Sequence, residues 1–301
     1  MRWPVVLAAV LIAASAARAA SPEEGYLAAR DKALAAMKKL ETAQASDAKM
    51  QATETAAFAD LLKRLVPIVG PVSVKGFPHP PRVNLETLGD GPGNNMLDGL
   101  SFEADPDKPD GARLVVTTKP LFVAWAKASA ADAADTADRL PEAAEEAMRS
   151  DNFYTGAIGS DAGFSRGLEI EVEKPAGADF AFAALGRWAQ DVGPSPLDRI
   201  VAGVIKGGRI FVADVDAAAK APELPACKAV WDAANAKADK LVAADKKGGN
   251  KDQKLVDESE KIQEKGNQDW LDCEGQAVKA GATYPALKKE AQDLLARMAG
   301  G

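Results

Sequence analysis

The sequence predicts an α+β protein, with an antiparallel-rich sheet domain of ββαββαββ-like order flanked by N-terminal helices and a C-terminal disulfide-linked helical hairpin. Three observations carry that prediction. Apolar residues recur at helical steps in 21–66 and again in 222–301, whereas the intervening stretch breaks into short runs punctuated by proline and glycine. Leu168, Ile170 and Val172 alternate with Glu169, Glu171 and Glu173, the period of a strand with one wet face. Cys227 and Cys273 lie equally far either side of Asn250, within a turn reading Lys247-Gly248-Gly249-Asn250-Lys251. A fold-back there sets the two sulfurs level on neighbouring helices.

The predicted organisation is a signal peptide over 1–19, N-terminal helices over 20–69, an α+β domain over 70–216, and a helical hairpin plus a final helix over 217–301. Arg2 supplies a basic start, Val5 to Ala17 form an apolar run broken by Ser15, and Ala17-Arg18-Ala19 fits the small-x-small cleavage rule. The run is about 13 residues, short of the roughly 20 that span a bilayer. Cleavage after Ala19 is therefore expected, with no cysteine placed to carry a lipid. Heavy alanine usage and the short signal read as bacterial, and the expected destination is the periplasm or the exterior.

Loss of Arg2 and Arg18 takes the formal charge from −7 to −9. From Asp216 onward 14 basic residues nearly balance 15 acidic ones, so the excess acid lies earlier in the chain. No basic cluster stands clear of its acidic neighbours, which argues against nucleic acid and against anionic membrane surfaces as partners. The single histidine, His79, removes most metal sites and most imidazole catalysis from consideration.

Ser21-Pro22-Glu23-Glu24 is a helix start: serine cap, proline at the first position, glutamate at the third. One unbroken helix from there to Pro67 would run roughly 67 Å, so a break is expected near Ser46-Asp47. The second segment carries Phe58, Leu61, Leu62 and Leu65 on one face, and Pro67 should end it. Val72-Ser73-Val74 is a candidate short strand. Leu97–Ala104 and Ala112–Lys119 read as strands joined by a turn over Asp105–Gly111, and a helical stretch in two parts follows, Pro141 opening the second. Phe153–Ile158 and Leu168–Glu173 read as another strand pair, Asp179–Gln190 as a helix, and Ile200–Ile205 with Arg209–Val215 as a hairpin turning at Gly207-Gly208. Lys119-Pro120 and Lys174-Pro175, each ahead of a Trp-Ala pair, hint at an internal duplication.

In the hairpin, pairing positions across the turn sets Cys227 against Cys273, Val230 against Trp270, Ala234 against Gly266 and Ala238 against Ile262. Ala234 opposite Gly266 allows close backbone approach, a reason for a glycine that otherwise costs about 1 kcal/mol in a helix. Cys227 and Cys273 should form a disulfide, as cysteine pairs of exported proteins do. Leu287, Ala291, Leu294 and Met298 give the final helix its apolar face. The first helices and the last are expected to bundle beside the sheet.

Several motifs fail in context. Gly163-Phe164-Ser165-Arg166-Gly167 matches G-x-S-x-G, but it reads as a loop between strands, and the one histidine precedes it. Ser46-x-x-Lys49, Ser150-Asp151-Asn152 and Lys206-Gly207-Gly208 follow the motif order of penicillin-binding proteins, yet the third lacks its Thr or Ser and too little chain precedes Ser46. Asp105, Asp107, Asp110 and Gly111 approach a calcium loop, one residue out of step and without the closing glutamate. Gly89–Asn95 is glycine-rich but lacks the phosphate-loop lysine. His79, in Phe77-Pro78-His79-Pro80-Pro81, reads as a loop residue that could rim a site. No catalytic, cofactor or metal residue is therefore assigned; the assigned positions are the disulfide cysteines Cys227 and Cys273. The functional expectation is an exported, non-catalytic envelope protein that binds an envelope protein or small ligand. The alternative is a carboxylate-dependent periplasmic hydrolase, whose mark would be two carboxylates facing across a cleft.

Overall fold

Seven strands, β1 (Arg82–Asn84), β2 (Gly99–Glu103), β3 (Arg113–Thr118), β4 (Gly163–Glu169), β5 (Phe180–Ala189), β6 (Arg199–Lys206) and β7 (Arg209–Asp216), pair antiparallel throughout in the order β1-β2-β3-β7-β6-β5-β4. The structure, a computed structural model, describes residues 20–85, 96–108, 111–129, 142–158, 163–189, 196–219, 221, 224–249 and 252–301. The expected signal peptide, the Gly89–Asn95 loop and Asp110 lie outside the described residues.

Alternation along the central strands makes two cores. Leu114, Val116, Ile200, Ala202, Val204, Phe211 and Ala213 face one way; Val115, Val201, Ile205, Ile210 and Val212 face the other. A sheet buried on both sides needs near-continuous apolar strands, which Ile200–Ile205 and Ile210–Ala213 supply. The first face is covered by α1 (Pro22–Thr42), α2 (Asp47–Val69) and α8 (Tyr284–Gly300), whose Tyr26, Leu61, Leu65, Leu287, Leu294 and Met298 share its core. The second is covered by α3 (Lys119–Ser129), α4 (Glu142–Ala147) and α5 (Asp151–Ile158), which carry the chain from β3 to the far edge strand β4. The remaining helices, α6 (Pro225–Lys247) and α7 (Gln253–Ala280), form the hairpin.

The expected α+β architecture with flanking helices and a disulfide-linked hairpin is present, while several elements differ in kind. The helices interrupt the strands once, after β3, rather than twice. The helix expected over Asp179–Gln190 is instead strand β5 over Phe180–Ala189: Phe180–Leu185 is apolar on both sides because both faces of the sheet are covered there. Phe153–Ile158 is helix α5, not a strand, held by aromatic contacts of Phe153 with Phe122 and Trp125 at 6.1 and 5.6 Å. Trp125 thus stands on a helix and Trp188 on a strand, which removes the structural basis of the duplication. The first helices and the last share no extensive contact and so form no bundle: α2 and α8 each dock on the sheet, and α1 packs on α2.

The strand expected over Leu168–Glu173 begins earlier, at Gly163, and its ladder ends at Glu169. Beyond it the backbone is satisfied by α8: Glu171 N–H donates to the Tyr284 hydroxyl, and Glu173 exchanges bonds in both directions with the Gln292 amide. Val72–Val74 is not a strand but a loop, held where Arg209 donates to the Pro71 carbonyl and Arg297 to that of Lys75. Helix α2 continues past Pro67 to Val69, which is buried in line with Leu61 and Leu65; Gly70, at φ +79°, stops it. The break between the first two helices falls as expected, and the Ser21–Glu24 capping box forms reciprocally.

Candidate functional site

The α6–α7 hairpin is built as the sequence pairing requires. Cys227 and Cys273 are bonded with Cα atoms 5.5 Å apart. At the tip, Gly249 takes φ +86°, the Asp252 side chain accepts from Lys254 N–H to start α7, and Asp245 accepts from Asp252 N–H. Midway, a Cβ on Gly266 would collide with the Ala234 side chain, so the two backbones approach as closely as this pair of small residues permits. Gly266→Ala should therefore destabilise by about 1–3 kcal/mol through overpacking, against a propensity gain of about 1 kcal/mol. Urea denaturation of the variant reads the balance, and a net gain in stability would contradict this packing.

The base of the hairpin is moored to the sheet through α7. Arg187, on β5 and only 1% exposed, donates to the Glu274 carboxylate and lies 4.6 Å from the Trp270 ring centroid. Burial holds the Glu274 carboxyl above the usual glutamate range and the Arg187 guanidinium below its own. Alongside, β4 carries a bulge between Arg166 and Leu168, and a Cβ on Gly275 would stand 2.7 Å from the Gly167 carbonyl oxygen. Lys279 reaches Glu171 on the same side. Trp231 packs on Trp270 with centroids 6.3 Å apart.

By contrast α6 packs extensively only on α7 among the described elements. Its buried residues are Cys227, Ala238 and Asp245. A groove of about 530 Å³ runs between the α6 stripe Val230, Ala233, Ala234, Lys237 and the α7 stripe from Glu258 to Asp269. Val230, at 37%, and Val66, at 43%, are the two large apolar side chains exposed among the described residues.

The other motifs do not converge. Ser165 lies mid-strand in β4 opposite Arg187, with no helix following; the loop expected there is a strand. Ser46 stands at the N-terminal boundary of α2, Ser150 precedes α5, and Lys206 is engaged with the Ala299 carbonyl, so the three fragments sit on separate elements. Asp105 accepts from Asp107 N–H in a local turn. His79 is half-buried in a loop. No group of three or more metal-ligating side chains gathers among the described residues.

The buried carboxylates are engaged individually. Asp98 pairs with Arg30 at 3.2 Å, Asp214 with Arg199 at 2.6 Å while also accepting from the Trp188 indole, Glu274 with Arg187, and Asp245 with the hairpin turn. Burial raises the Asp214 carboxyl, and burial together with Asp98 raises the Tyr26 hydroxyl well above the ordinary tyrosine range. A second cleft, of about 410 Å³ between β4 and α7, is lined by polar groups largely paired within the protein, among them Gln268 with Asp272. Both clefts open toward solvent, and the hairpin groove is the one whose lining is mainly apolar.

No family model, curated protein or solved structure matches the chain. The site rests on its own geometry. The Arg187–Glu274–Trp270 mooring was missed by the sequence reading; its one local trace is an arginine inside the apolar run Phe180-Ala181-Phe182-Ala183-Ala184-Leu185-Gly186-Arg187.

Proposed function

We propose that this chain is an exported, non-catalytic protein of the cell envelope that binds a partner protein through the α6–α7 hairpin. The observation that carries the reading is a helix pair clamped covalently and moored at one end, whose first helix has no other extensive packing and whose seam leaves Val230 and a groove open. A concave, mainly apolar stripe that no other described element packs on extensively is a surface on which a partner helix can lie. Export is supported by the basic, apolar and small-residue pattern of residues 1–19 and by the disulfide, a bond that persists in oxidising compartments. No helix among the described residues is long and apolar enough to cross a membrane.

Fractionation of cells making the full chain should place it in the periplasm or medium with its N-terminus at Ala20. The isolated mature chain, disulfide intact, should retain a specific envelope protein that the Cys227→Ser/Cys273→Ser variant releases. A cytoplasmic chain starting at Met1, or retention indifferent to the hairpin, would overturn the reading.

A further inference from the structure

We infer that the hairpin groove receives an acidic amphipathic helix of the partner; this deepens the reading of the hairpin as the interaction element and rests on it. The groove follows Glu258 to Asp269 on α7, a length of about 16 Å at 1.5 Å per residue, the span of three helical turns. Its floor is small, since Ala234 and Gly266 are in close contact, and its walls present Ile262 and the exposed Val230. A third helix laid there would set its own large apolar side chains over the small floor and beside Val230 and Ile262, at the spacing of helix-in-groove recognition.

The charges decide what kind of helix. Lys265 and Asp269 neutralise one another at 2.8 Å. Lys237 on one wall and Lys261 on the other make no ion pair among the described residues, and Glu258, toward the tip, is the single unpaired acid of the lining. Two open ammonium groups across an apolar floor call for carboxylates flanking the apolar stripe of the occupant. A second copy fits poorly: a groove-to-groove contact would bring together two linings of the same sign, each carrying Lys237, Lys261 and Lys265 against Glu258 and Asp269.

The test places a photo-crosslinking p-benzoylphenylalanine at Ala233 of the exported full-length chain, in cells that make it natively. Crosslinked peptides are then sequenced by mass spectrometry. The expected product joins Ala233 to an amphipathic helical segment rich in Asp and Glu, and Lys237→Glu/Lys261→Glu should cut its yield about tenfold with helicity and the disulfide intact. Crosslinks to lipid, to a second copy or to a basic segment would overturn the inference, as would a yield indifferent to the charge reversal. A second probe at Asp239, on the same helix but outside the groove lining, separates the two levels. Protein crosslinks from Asp239 alone leave the hairpin reading standing and remove the acidic helix; none from either position removes both.

Discussion

Replacing Cys227 and Cys273 together by serine should release α6 while the rest of the chain stays folded. On the chain-entropy argument, a link closing a loop of this sequence separation, 46 residues, contributes about 4 kcal/mol. Apart from its packing along α7, little else holds α6. Its buried residues are Cys227 itself, Ala238, which has a small side chain, and Asp245, which serves the turn. Helix α8 makes the contrast, burying Leu287, Ala291, Leu294, Leu295 and Met298 against the sheet. Burial of a leucine or methionine is worth about 1.5–3 kcal/mol, so α8 needs no covalent help. Native-state hydrogen exchange of the oxidised protein and the double serine variant should show α6 amides exchanging about a thousandfold faster in the variant, with β6, β7 and α8 unchanged. Equal acceleration everywhere would mean that the link stabilises the whole fold rather than the hairpin. No change in α6 would mean that helix packing alone suffices.

How far the sequence could be read follows from what kind of constraint each element obeys. The hairpin was legible because its signals are redundant: equidistant cysteines, glycines at the turn, and Ala234 facing Gly266 all specify one register. The β6–β7 turn was legible for a similar reason, since Gly207 and Gly208 adopt φ +55° and +80°, a conformation two adjacent glycines take freely. β5 and α5 were misread because a short apolar run has no period of its own. Phe180–Leu185 is buried on both faces as a strand, and only the sheet around it decides that. Ile170 and Val172 kept the burial pattern expected of them although the ladder ends at Glu169, because the sequence encodes which side is wet while Tyr284 and Gln292 supply the bonds. The mooring was illegible for a different reason. Arg187 and Glu274 are 87 residues apart, and neither residue announces a partner at that distance.

That mooring supplies the other large effect. Arg187→Met should destabilise the protein by about 3–5 kcal/mol, because it leaves the Glu274 carboxylate buried without its cation. The loss should also depend on pH, with a defined sign. Burial already lifts the Glu274 carboxyl above its usual range, and removing Arg187 lifts it further. A group whose folded pKa exceeds its unfolded value holds its proton more tightly when folded. Its contribution is complete below the unfolded value, about 4.3 for glutamate, and is lost as pH rises through the folded value. The variant should thus lie nearest the parent in mild acid and fall away from it toward neutrality, as urea denaturation at pH 5 and pH 8 would record. Adding Glu274→Met to Arg187→Met should remove that pH dependence and recover most of the stability, since an apolar pair strands no charge. A single variant equally destabilised at both pH values would show that the loss comes from packing against Trp270 and not from the stranded carboxylate. The distinction bears on the hairpin directly. If the charge pair carries the mooring, acid should loosen the hairpin base of the variant less than neutral pH does, and exchange of the Trp270 indole N–H would follow the same order.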